Sequence, residues 1–124
     1  MRTHFAFLLL ALVISACAPS KPDTASESPD FSSLSNEDLR GQAAEANVAA
    51  ACELSGRLLT MSEPEGIRAE GYVWGRLASE RDGCDSFDEQ PTRASLTEEE
   101  RQGADALYRE VSMLWRIMEA SPRR

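Results

Sequence analysis

The chain has 124 residues, with 13 Lys+Arg against 21 Asp+Glu, one His and a formal net charge of −8. A balance this acidic argues against nucleic acid as a partner, because a phosphate backbone demands cationic contacts. The length is enough for one small domain with a modest core.

The N-terminus reads as a secretory signal over residues 1–16. Arg2 supplies the positive start, Phe5 to Ile14 (FAFLLLALVI) is an unbroken apolar run, and Ser15 and Ala16 are small. The run is too short to cross a bilayer, which takes roughly 20 apolar residues. Ile14-Ser15-Ala16-Cys17 resembles the bacterial lipobox. The resemblance implies cleavage before Cys17 and a lipid-anchored first residue carrying acyl chains, palmitate among them. Two chains already give stable anchoring. It also implies a bacterial lipoprotein, and Ala18 in place of an aspartate implies the outer membrane, with the domain on the periplasmic face. Removing residues 1–16 takes away Arg2, His4 and no carboxylate, so 12 Lys+Arg face 21 Asp+Glu and the side-chain charge becomes −9.

Residues 17–34 follow as the lipidated N-terminus and a flexible tether. Pro19, Pro22 and Pro29 and many serines make this stretch too polar to build a core. Its r.m.s. reach is about 20–25 Å.

Residues 35–121 are predicted to form an all-α domain, a small three-helix bundle, with residues 122–124 as a tail. The first helix is expected from about Asn36 to Met61, with Ser35 as N-cap and Glu37 and Asp38 in the first turn. Leu39, Ala43, Ala46, Ala50, Leu54, Leu58 and Met61 recur at spacings of three and four, which puts them on one face. The second is expected from about Glu63 to Asp82. Ser62-Glu63-Pro64-Glu65 reads as its capping box, and Gly83 as its stop. Cys84 to Ser95 reads as a loop pinned by Phe87. The third helix runs from about Glu98 to Ala120 behind the capping box Thr97-Glu98-Glu99-Glu100. Its core stripe is Ala104, Leu107, Tyr108, Val111, Leu114, Trp115 and Met118.

With Cys17 acylated, Cys52 and Cys84 remain as a pair, and an oxidising periplasm favours a disulfide between them over two buried thiols. A plain hairpin turning near Ser62 sets Cys52 opposite Trp74, about 15 Å short of Cys84 and beyond the reach of a disulfide. Either the second helix crosses the first steeply, or the chain after Gly83 folds back, or the cysteines stay unpaired. Gly83 and the polar loop favour the fold-back.

Chemistry is sparse. Without His4 the chain has no imidazole, which removes the usual triads and most transition-metal sites. Asp82, Asp85, Asp88 and Glu89 cluster near the loop but do not match a calcium-binding loop. No nucleotide-binding or nucleophile-elbow motif is present, so no enzyme, cofactor, metal or small-molecule substrate is expected. Gly71-Tyr72-Val73-Trp74-Gly75 stands out. Two glycines four apart on a helix each cost about 1 kcal/mol against alanine, which fits close helix packing. The alternative is an exposed patch of Tyr72 and Trp74 that binds a partner.

Size, lipid anchor, helix content and a Cys late in the first helix are similar to the small helical pilotins that escort secretins to the outer membrane. Gly71-Tyr72-Val73-x-Gly75 followed by Cys84 resembles a Gly-Tyr-Ile-x-Gly stretch in one helical family of periplasmic immunity proteins, although Glu70 stands where that family has a cysteine. The expected function is therefore an adaptor or assembly factor that binds another envelope protein. The alternatives are an inhibitor or immunity protein against a periplasmic hydrolase or toxin, and a purely structural envelope lipoprotein.

Overall fold

The computed structural model describes residues 30–121. Residues 1–16, read above as a signal, Cys17 and most of the expected tether lie outside them, as does the tail 122–124. The described chain is all helical: α1 (Asn36–Ala44), α2 (Val48–Leu58), α3 (Ile67–Glu80), α4 (Glu89–Ala94) and α5 (Glu98–Ala120). No strand occurs among the described residues. Helices α2 and α3 form the main antiparallel pair, α1 packs on α2, and α5 packs on α3.

The first predicted helix is two helices. α1 ends where Ala46 turns to a left-handed φ of 67°. The Ala46 N–H then reaches the Ala43 carbonyl at 2.9 Å, and the Asn47 N–H reaches that of Gln42 at 3.1 Å. This is a Schellman closure. Asn47 at once caps α2, its side-chain oxygen accepting from the Ala50 N–H at 3.1 Å. The break redirects the chain while both pieces keep their apolar faces inward: Leu39 and Ala43 from α1, then Ala50, Ala51, Leu54 and Leu58 from α2.

The predicted start of the second helix also moves. Ser62 to Glu65 do not cap it. The chain passes a cis Glu63–Pro64 bond and Gly66 (φ 86°), and α3 begins at Ile67. Close packing needs the two glycines inside it. A Cβ on Gly71 would lie 3.0 Å from that of Leu58, and one on Gly75 would overlap the Phe87 ring and the Ser55 hydroxyl. Gly71 thus stands against Leu58, Gly75 against Ser55, and farther on Gly83 against Val48. This register brings Cys52 level with about Ala78.

The remaining distance to Cys84 is closed by a second Schellman turn. Asp82 adopts φ 57°, its N–H bonds Ser79 at 3.0 Å, and the Gly83 N–H bonds the Ala78 carbonyl at 2.9 Å. The shifted register and this return together make up what the plain hairpin lacked. Cys52 and Cys84 are joined, their Cα atoms 5.3 Å apart. The fold-back is the correct alternative.

Cys84 to Ser95 is not wholly a loop, since α4 occupies Glu89–Ala94. The capping box of α5 forms as read: the Glu100 N–H donates to the Thr97 hydroxyl at 3.0 Å, and the Glu100 carboxylate accepts from the Thr97 N–H at 2.8 Å. At the other end the body starts earlier than Ser35. Phe31 and Leu34, read as tether, pack against the core. Arg57 holds them, donating 2.7 Å bonds to the carbonyls of both.

Candidate functional site

Tyr72 and Trp74 do not form an exposed patch. Tyr72 is fully buried and Trp74 is 7 % exposed. The reason is what covers them: Phe87 lies against Tyr72, ring centroids 5.8 Å apart, and Trp115 of α5 lies against Trp74 at 6.3 Å. Their polar ends are satisfied inside the fold. The Tyr72 hydroxyl donates to Glu89 at 2.9 Å, and the Trp74 indole N–H donates to Glu70 at 3.0 Å. Glu70 is gripped in turn by Arg40 at 2.7 and 3.1 Å. Burial pushes the Tyr72 hydroxyl above its ordinary pKa. These contacts tie α1, α3 and α4 together and leave neither aromatic open to a partner.

The acidic loop is divided among structural tasks. Asp82 makes the left-handed turn. Asp88 precedes α4 as its N-cap, and Glu89 serves Tyr72 and lies 3.6 Å from Arg76. Among the described residues no group of three His, Cys, Asp or Glu side chains is placed to hold a metal ion.

The surface feature that stands out is on α5. Its N-terminal half and middle pack down through Ala104 and Trp115, with Leu107, Tyr108 and Val111 partly buried against the core. Beyond Val111 the helix is apolar on more than one side. Met113 is 58 % exposed, Leu114 52 %, Ile117 56 % and Met118 37 %. Leu114 and Met118 were expected in the core stripe and instead face solvent, because the inward side of α5 at this level is taken by Trp115, which reaches α1 at Ala43, and no described element covers the opposite side. The sequence carried a signal for this: with apolar residues at 111, 113, 114, 115, 117 and 118, one stripe cannot hold them all. Four large side chains over six residues form a continuous apolar strip, the kind of surface that marks an interaction site.

The strip rests on a firmly held helix. Trp115, fully buried, donates its indole N–H to the Ala43 carbonyl at 2.9 Å. Arg81 lies over the Trp115 ring at 4.7 Å and pairs with Glu119 at 2.6 and 3.1 Å. That pairing holds the Glu119 carboxyl below the usual range. Arg76 stacks on Tyr108 at 3.8 Å, and the Tyr108 hydroxyl donates to Glu80. Farther back, Arg93 clasps Asp105 at 2.8 and 3.0 Å and lowers its pKa. The exposed side chains therefore project from a braced scaffold.

No family model matches the chain, and neither the curated proteins nor the solved structures contain one similar to it.

Proposed function

We propose that the chain is a lipid-anchored lipoprotein of the bacterial envelope, acylated at Cys17 and facing the periplasm from the outer membrane, whose helical body binds another envelope protein as an adaptor or assembly factor. The observation that carries the binding role is the strip of Met113, Leu114, Ile117 and Met118, exposed on an otherwise braced helix. The lipobox-like Ile14-Ser15-Ala16-Cys17 supports the anchor. The disulfide fits an oxidising compartment.

A photoreactive residue at Met113, in the full chain in native envelopes, tests the reading. A discrete cross-linked protein that disappears with Ile117→Asp is the expected result. Absence of any specific cross-link, or cross-links indifferent to Ile117→Asp, counts against it. The acidic balance favours a second reading, an inhibitor of a basic hydrolase or toxin. A soluble basic enzyme on the cross-link would select that one.

A further inference from the structure

The basic side chains point to the chemistry of the partner. Nine arginines lie among the described residues, and they are all of the Lys and Arg there. Seven of them, Arg40, Arg57, Arg68, Arg76, Arg81, Arg93 and Arg101, are ion-paired to carboxylates of the same chain. Arg109 and Arg116 make no ion pair among the described residues, and both are exposed. Arg109 acts on Asp105 only at a distance, lowering its pKa slightly beside the direct grip of Arg93. The two unspent arginines are seven residues apart on α5. At 100° per residue they fall on one edge of the apolar strip, beside Met113, about 10 Å apart along the helix. In a chain with excess carboxylate, leaving these two cations unpaired along an exposed apolar seam is a specific arrangement.

We propose, building on the adaptor reading, that the α5 strip receives an apolar helix of a partner protein whose seam is edged by carboxylates spaced one heptad apart, which pair with Arg109 and Arg116. An apolar helix face laid along another helix buries the four exposed side chains. The charged edge fixes register and partner choice. A second copy of this chain fits poorly. In an antiparallel pair the same edge of each helix meets, so the arginine edge would face itself. In a parallel pair it would face the edge of Leu114 and Met118, where the nearest carboxylate, Glu110 at the head of the strip, can meet at most one of the two arginines. An anionic lipid surface would welcome the two arginines but repel a chain whose formal net charge is −8.

The test uses the full lipidated chain in phosphatidylcholine vesicles and two synthetic helical peptides with the same leucine seam. One carries Glu at seven-residue spacing along its edges and the other carries Lys at those positions. The acidic-edged peptide should bind roughly tenfold tighter, with the preference shrinking at high salt. The R109E/R116E double variant, changed only at exposed positions, should reverse it. Equal binding of the two peptides, or a preference that survives the double variant, overturns the proposal. So does cross-linking of two copies through Met113. Burial of a fluorophore at Met113 in the bilayer when the vesicles contain phosphatidylglycerol, with neither peptide bound, assigns the strip to the membrane and also overturns it. If the Met113 cross-link in native envelopes persists while the peptides show no charge preference, only the acidic edge falls. If that cross-link is missing, the adaptor reading falls as well.

Discussion

Trp115 and Ala43 are 72 residues apart, yet the indole N–H of one donates to the carbonyl of the other at 2.9 Å in the buried core. The Ala43 carbonyl also accepts the Ala46 N–H that closes the end of α1. One atom thus joins the last helix to the turn that divides α1 from α2. Trp115→Ala should cost about 3–5 kcal/mol in urea unfolding, as cavity and lost transfer energy combine. Trp115→Phe keeps most of the volume and should cost less, since Ala43 retains its backbone donor. A near-neutral Trp115→Ala would mean that α5 is not locked to α1 in this way.

Asp82 sits at the left-handed position of the second Schellman turn, exposed, at φ 57°. Glycine adopts that conformation without the Cβ clash, which costs roughly 1 kcal/mol for other residues. Asp82→Gly should therefore raise the melting temperature, by about 4–8 °C per kcal/mol for a domain of this size. An unchanged or lowered value would show that the carboxylate contributes something the hydrogen-bond geometry does not reveal.

The all-helical class, the third helix with its capping box and the core position of Trp115 were legible from periodicity and cap residues. The break at Ala46 was not, because alanine is the strongest helix former and nothing but Asn47 hinted at a new start. The Cys52–Cys84 pair and the fold-back after Gly83 were legible, but the residue that makes the turn was not. A hairpin drawn with straight helices has no place for a turn made by Asp82 at positive φ, a conformation that sequence assigns to glycine by default. At the candidate site, period alone put Leu114 and Met118 inward. Which side of an apolar helix end is covered depends on how far its neighbour extends, and that is a tertiary fact.

The Cys52–Cys84 bond closes a loop spanning 32 residues of sequence and fastens the returning chain to α2. Constraint of the unfolded chain alone makes it worth roughly 3–4 kcal/mol. Cys52→Ser should lower the melting temperature of the oxidised protein, and a reductant should lower that of the native protein while leaving the variant unaffected. Equal stability with and without reductant would argue against the bond.

Two carboxyls, Asp105 held by Arg93 and Glu119 held by Arg81, have pKa values below their ordinary 3.8 and 4.5. A carboxyl depressed in the folded state contributes stability that is present above its unfolded pKa and lost as pH falls through the folded one. Stability from these pairs should hold at neutral pH and drop from about pH 5 downward. Both carboxylates are more than a third exposed, so the effect is modest, of the order of 1 kcal/mol or less each. Asp105→Asn with Glu119→Gln should flatten the acid limb of the stability profile and leave its shape above pH about 6 unchanged. An acid limb as steep as before would place the acid sensitivity in other carboxylates.

The proposed function makes Cys17 the attachment point that fixes the body's location. The reading of Ile14-Ser15-Ala16-Cys17 as a lipid-attachment site makes a prediction independent of the helical fold. Cys17→Ala should abolish incorporation of radiolabelled palmitate and either release the protein from membranes or leave it unprocessed. Cys52 and Cys84 provide an internal control, because they oxidise only where the compartment permits. If Cys17→Ala protein is exported, its thiols should still be blocked against alkylation although its lipid is gone. If export itself fails, both thiols should become reactive. Lipid labelling that persists without Cys17 would remove the anchor from the proposed function, while the strip on α5 and its arginine edge would remain to be tested on a soluble protein.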